Sequence, residues 1–572
     1  MKKYLYLLGF FSLFWSIQSC AQKKKPLIDP EPVESSQISI SSLNKSQIQA
    51  LDRLGRVWGF LKYHHPMVGE GKYDWDQELF RILTNYLVAS TPQEQEKYLL
   101  DWIETLGEIP PCTSCAASSP EAVQRAHHDW INTSLSYEPL KQKLIEIYHN
   151  RYQGKHYYVT TNKGNGAVEF IHEKMYRETP YPDAATRLLA LYRYWNNIQY
   201  FYPYKHLTDQ SWDSILVSYI PKFIDASDEL AYELVVLQLM AETNDSHAMI
   251  KAGNDQILKQ KGQYYASFRG AFIEDQFIMV DDYQPQFTSS IGIQKGDRIT
   301  RINGKYVEDM VKELTPYYPA SNKGSYLRNL AMDLLRSNQS TMNITFESNG
   351  KSMELTIPLY PKDQLDYYTW YKTNPLDKGY HVMENNLGYI SIAALKEKDI
   401  LRLKKDLIST KGIIIDLRNY PNLRLPEELA SYFVNDKVPY AKFSFPNVQH
   451  PGEFLVSAKN ILRKQKVTYT GKVVVLVNEV TQSAAEFLAM ALKVGPQTVI
   501  MGNQTAGADG NVISMILPGG IESWVSGLGV YYPDGRETQR IGIVPDIEVK
   551  PTRKGIQANR DEVLEAAIAY LK

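Results

Sequence analysis

Trp58, Pro66, Trp75 and Asp76 recur 137 positions later as Trp195, Pro203, Trp212 and Asp213, and Leu54 with Leu191 and Tyr63 with Tyr200 keep the same offset. A spacing held this often constrains the fold strongly, because it makes the region before residue 244 two copies of one module. Leu51, Leu54, Val57, Trp58 and Leu61 fall at three- and four-residue steps, so helical blocks are predicted over 46–108 and 184–243. The copies end differently. The second runs into Thr243-Asn244-Asp245-Ser246-His247-Ala248, whereas the same offset in the first reaches Ile109 and Pro110, beside the turn Pro-Pro-Cys-Thr-Ser-Cys. The second copy alone carries a Ser-His pair, and the first reads as a scaffold or partner-docking module. Between them lie a helical piece and a hairpin-like stretch over 155–170, to which the sequence assigns no purpose.

At 572 residues the chain is expected to form roughly three to four domains. Its hydrophobic content of 44% and charged content of 22% describe a folding chain. A net charge of −1 gives no footprint for a nucleic-acid partner. Met1-Lys2-Lys3 followed by an apolar stretch to Ile17 has the form of a secretory signal. Ile17-Gln18-Ser19-Cys20 resembles a bacterial lipobox, which implies lipidation of Cys20, a tether over 21–45, and an exported lipoprotein facing the periplasm or cell surface, with the outer membrane expected. An incidental cysteine after a plain signal is the other reading. Cys112 and Cys115 form a C-x-x-C; export favours a disulfide staple over a redox or half-metal motif, since no second C-x-x-C completes a zinc site. His64-His65 and His127-His128 are adjacent pairs whose side chains diverge on a helix, so no metal is predicted. No cofactor is expected.

From residue 259 to 362 the pattern changes to short strands and turns. Ile291 to Gly304 is an alternating strand closed by Asn303-Gly304, a hairpin signal. From 363 onward strands and helices alternate, which predicts a helix-covered sheet. Lys472 to Val477 is a short β-branched run, Asn478 to Gln482 is turn material and Ala484 to Leu492 is helix-forming. Ser483 therefore sits where a strand turns into a helix, beside free N–H groups that suit a nucleophile. Ser483-Ala484-Ala485-Glu486 is equally the spacing of a capping box that closes a helix end. His247 taken alone is more often a structural histidine than a base.

Taken in order, Asp245-Ser246-His247-Ala248, the Ile291–Gly304 stretch, Gly412 to Arg418, Ser483 to Glu486, Thr505-Ala506-Gly507 and Gly542-Ile543-Val544-Pro545-Asp546 resemble the S41 family of serine peptidases, which includes the C-terminal processing peptidases and the tricorn core protease. The resemblance covers about 184–572. It implies a multidomain α+β protein: a degenerate helical copy over 46–180, a second copy over 181–258, a PDZ-like β domain over 259–362, and a ClpP/crotonase-like α/β catalytic domain over 363–572. The processing peptidases take their base from a lysine where this chain has Ala508, so a Ser-Lys dyad is not expected. The tricorn-like arrangement is: Ser483 as nucleophile, His247 as base, and Ser246 orienting the imidazole. The family's backing glutamate position holds Gln539, with Glu537 a conjectural substitute. The oxyanion donors implied are the Ala484 N–H and, because Pro421 has no N–H, that of Tyr420 or Asn422.

The function expected is a lipid-anchored serine endopeptidase that cuts extended polypeptides presented by the PDZ-like module. A non-catalytic peptide- or ligand-binding lipoprotein on the same fold is the alternative, since Pro421 and Gln539 depart from the family pattern. A third reading makes the helical part a partner or glycan platform. Oligomeric state is not legible.

Overall fold

The computed structural model describes residues 40, 43–115, 117–125, 127–367, 378–421 and 426–572. The expected signal, Cys20 and nearly all of the tether lie outside them.

Helices Lys45–His64 and Trp75–Val88 form one pair, and Ala184–Phe201 and Trp212–Ile224 a second. Each pair is clasped by reciprocal indole bonds. Trp58 Nε1 donates to Trp75 O at 3.1 Å and Trp75 Nε1 to Trp58 O at 3.0 Å; Trp195 Nε1 donates to Trp212 O at 2.8 Å and Trp212 Nε1 to Trp195 O at 3.0 Å. An indole has one donor and a buried carbonyl needs a partner, so each clasp satisfies two donors and two acceptors inside an apolar core. Where the pairs cross, Gly55 faces the Tyr192 ring and Gly59 faces Asn196; a Cβ at Gly59 would lie 1.9 Å from the Asn196 side chain. The crossing therefore needs a residue without a side chain at 59.

The hairpin-like stretch forms an antiparallel pair, Val159–Thr161 with Val168–Phe170. Cys112 and Cys115 are joined by a disulfide.

After Glu229–Ala241 the chain turns through Asp245–His247 into the strand Met249–Ala252, which pairs antiparallel with Ile521–Ser526. A strand from before residue 259 is thereby built into a sheet with the 512–526 hairpin. Residues 268–358 make an antiparallel sheet, ordered 351–358, 341–348, 298–302, 276–282, 268–273, with helices Val307–Leu314 and Lys323–Leu334. Asn303 and Gly304 both take positive φ, 48° and 81°, at its tight turn, as the Asn-Gly signal requires.

The C-terminal sheet runs 380–382, 387–391, 412–416, 472–477, 498–502, 547–548, parallel except for its first pair. Its central strands are apolar on both faces, as a doubly covered sheet demands. Ile413, Ile415, Val473 and Val475 pack toward helix Ala484–Lys493, while Ile414, Val474 and Leu476 pack on Glu562–Leu571. No helix among the described residues is long and apolar enough to cross a membrane.

Candidate active site

Ser483 joins strand Lys472–Val477 to helix Ala484–Lys493 with φ 57° and ψ −123°. A side chain is disfavoured at that φ, so the surroundings must hold it. Its N–H is fixed twice, to Ala508 O at 2.9 Å and to Glu486 Oε2 at 3.1 Å. The approach turn is tied down by Thr481, whose hydroxyl donates to Leu417 O at 2.8 Å. The glutamate half of the capping box is present in that Ser483 N–H bond, yet Glu486 does more than cap. Fully buried, it also accepts from the Thr505 hydroxyl, Gly507 N–H (2.8 Å) and Ala508 N–H (3.1 Å), clamping the 505–508 loop to the helix start. Burial pushes its carboxyl up, against these bonds, which pull it down. The Ser483 hydroxyl makes one long bond, 3.4 Å to Gly510 O.

Ser483 and Ala484 line a cavity of about 760 Å³ whose walls include Tyr420, Pro421, Phe443 and Phe487. Gly164 and Asn165, from the 159–170 hairpin turn, also border it. The stretch without a legible purpose is thus part of the cavity wall. The Ala484 N–H, first in the helix, has no partner among the described residues and stands at the helix's positive end.

His247 is brought in by the pairing of 249–252 with 521–526. Its Nδ1 lies 2.9 Å from Ser526 Oγ, and Ser526 Oγ donates to Asp245 Oδ1 at 3.1 Å. Because that hydroxyl spends its proton on the carboxylate, it accepts from Nδ1–H, which leaves Nε2 as the basic nitrogen. Asp245 is sealed and also accepts from Ser526 N–H (2.7 Å), His247 N–H (2.9 Å) and Gln539 Nε2 (3.2 Å). Burial lowers the imidazole's pKa; Asp245 opposes this and Arg328 adds to it.

Several expected roles change. Ser246 does not orient His247: adjacent side chains in a tight turn diverge, and its hydroxyl accepts from Ser321 N–H (2.8 Å) and has its one proton within reach of Ser325 Oγ (2.9 Å) and Ala506 O (3.1 Å). Ser526 takes the orienting place. Gln539 supports Asp245 and not the imidazole. Glu537 is paired with His206 at 2.7 Å and makes no bond to His247, Ser526 or Asp245 among the described residues. Tyr420 and Pro421 border the cavity, while Asn422 lies outside the described residues. Ser483 and His247 do not hydrogen-bond each other. Their chain neighbours do meet, Gln482 Nε2 donating to Ser246 O at 3.1 Å. Arg328 braces this contact through Gln482 Oε1 (2.9 Å) and Glu479 O (2.8 Å). Asp245 was visible in its motif two residues before His247; Ser526 had no local signal. No cluster of three or more His, Cys, Asp or Glu among the described residues is disposed to hold a metal.

Residues 386–549 match the family described as Peptidase family S41. The chain is 23% identical over 309 residues to the carboxy-terminal processing protease CtpA of Bacillus subtilis (strain 168), covering 50% of this chain and 57% of that protein. It thus spans little more than half the length of that curated relative. Among solved structures, mature CPAF complexed with lactacystin matches with a TM-score of 0.52 at 15% identity, over 68% of this chain and 98% of that one. Mature CPAF alone matches with a TM-score of 0.51 at 15% identity, over 68% and 96%. At this identity these two likenesses speak for the fold.

Proposed function

Because residues 386–549 carry a Peptidase family S41 domain, we propose that the protein is a serine endopeptidase acting on extended polypeptides through Ser483 and His247. The observation that carries this reading is Ser483 held in a strained turn at the wall of a large cavity, with the Ala484 N–H beside it. In the reaction the Ser483 hydroxyl turns from Gly510 O toward His247, whose Nε2 removes its proton as the oxygen attacks a peptide carbonyl. The Ala484 N–H and the helix start stabilise the oxyanion. Imidazolium then returns the proton to the leaving amine, and water repeats the cycle on the acyl-enzyme. Asp245 acts through Ser526 to hold the ring and offset its charge. Ala508 in place of a lysine supports a Ser-His over a Ser-Lys mechanism.

The fixed offset of 137 and the two indole clasps support a duplicated helical module before residue 259. The Asn303-Gly304 hairpin and its sheet support a PDZ-like module over 259–362 that presents substrate by edge addition. An exported lipoprotein anchored at Cys20, periplasmic or at the cell surface, completes the reading from its lipobox.

A non-catalytic binder has one observation in its favour, the missing Ser483–His247 bond. Turnover of an unfolded polypeptide separates the two: the peptidase predicts cleavage by wild type that Ser483→Ala and His247→Ala abolish, and the binder predicts none by any of them.

A further inference from the structure

Asp509 lies between the two residues that hold Ser483. Ala508 O accepts the Ser483 N–H and Gly510 O accepts its hydroxyl. Asp509 borders the same cavity, although it is only 1% exposed. Its Oδ1 accepts from Gly510 N–H at 2.6 Å, while Oδ2 is buried with no hydrogen-bond partner among the described residues. An orphaned buried oxygen is destabilising, and an apolar residue at 509 would avoid it. Burial, with Glu486 nearby, pushes the carboxyl well above its ordinary range.

The remaining walls decide what this oxygen suits. Leu429, Phe443, Phe445, Phe487, Leu488 and Leu528 form an apolar sleeve. Among the described residues no Lys or Arg lines the cavity, and its other carboxylate, Glu427, is engaged by the Tyr440 hydroxyl at 2.6 Å. An apolar sleeve with an unsatisfied acid in its wall suits a side chain with a hydrocarbon stem and a cationic tip. A purely apolar side chain would leave Oδ2 as it is.

We propose that Asp509 is the specificity determinant of the subsite beside Ser483, and that this subsite takes a lysine or arginine side chain of the residue whose carbonyl is attacked. The assignment rests on the hydrolase reading. On binding, the ammonium or guanidinium supplies the missing donor, and the apolar sleeve covers the stem.

The test uses the full chain and peptides differing only at the residue before the scissile bond: lysine, arginine, or norleucine, which keeps the stem without the charge. For wild type, kcat/KM for lysine is expected to exceed that for norleucine by about tenfold or more, a ratio that needs no variant. In Asp509→Asn the ratio is expected to fall toward one. A wild-type preference for norleucine, or an unchanged ratio in Asp509→Asn, overturns the assignment while leaving the peptidase intact. Absence of any Ser483-dependent cleavage in the set overturns the peptidase reading and the assignment together.

Discussion

The two clasped helix pairs differ most where their matched residues cross over to each other. Arg56 and Arg193 stand 137 apart, as do Asp76 and Asp213. Arg56 pairs with Asp213 at 2.6 Å, and Arg193 pairs with Asp76. Each arginine thus reaches the other pair's aspartate, and Tyr63 meets Tyr200 with ring centroids 5.6 Å apart. Such reciprocal contacts are the mark of a two-fold interface, here within one chain. The two ion pairs are not equal, however. Asp213 is 58% exposed at its side chain, whereas Asp76 is sealed in a cluster with Glu173, Lys62 and Arg193. The pairs also lead to different places: the first toward the Cys112–Cys115 disulfide, the second toward His247. The lesson is that a near-symmetric scaffold can carry two unlike ion pairs, one sealed and one with an exposed aspartate, and lead its two copies to unlike ends.

The strongest way to break this comparison is at the two ends. His247→Ala is expected to lower kcat/KM by about 10⁴ or more, while Pro110→Ala, at the matching offset, changes it by less than about twofold. Peptide hydrolysis measures both, and equal losses would erase the distinction. Next comes the sealed ion cluster. Asp76→Ala leaves a buried cation uncompensated and is expected to destabilise the helical region by about 3–5 kcal/mol, read by hydrogen exchange over 45–88.

Acid sharpens the same contrast. Burial pushes His65 down to about 4, His128 to about 3 and His156 to about 4, whereas an unfolded histidine titrates near 6.5. The unfolded chain therefore binds more protons across that window. The stability these neutral rings support is complete above pH 6.5 and is lost as pH falls toward 4. The second pair has Phe201 and Tyr202 where the first has His64 and His65. Hydrogen exchange at pH 5 should accordingly show 45–69 opening before 184–204. The smallest effect is expected at Asp213→Ala, about 0–1 kcal/mol, because the Asp213 carboxylate is mostly exposed and the buried Arg56 keeps its bonds to Asp52 and to the carbonyl of residue 213; a loss as large as that of Asp76→Ala would contradict the account.

Local patterns made much of this legible. The β-branched run 472–477, its polar turn and the small residues after it predicted where Ser483 stands, and Asn303-Gly304 predicted its tight turn. The run Lys472 to Val477 has the limits of the strand it forms. Long-range partners were not legible. Ser526 reaches His247 only because Met249–Ala252 pairs with Ile521–Ser526, and no local rule selects that pairing. Glu537 lay near Gln539 in sequence, yet the chain turns it to His206. His64 and His128 were read separately as halves of diverging pairs, but their rings pack edge to face with centroids 5.3 Å apart. Asp509 carries no local signal, because nothing in a sequence reveals that one oxygen lacks a partner.

The central claim is that Ser483 is a nucleophile activated by His247. Treating the full chain with a fluorophosphonate and locating the adduct by mass spectrometry tests it most directly. The account predicts one adduct, on Ser483, absent from Ser483→Ala and at least about a hundredfold slower to form in His247→Ala. No adduct on Ser483, or an unchanged rate in the folded His247→Ala protein, would contradict it.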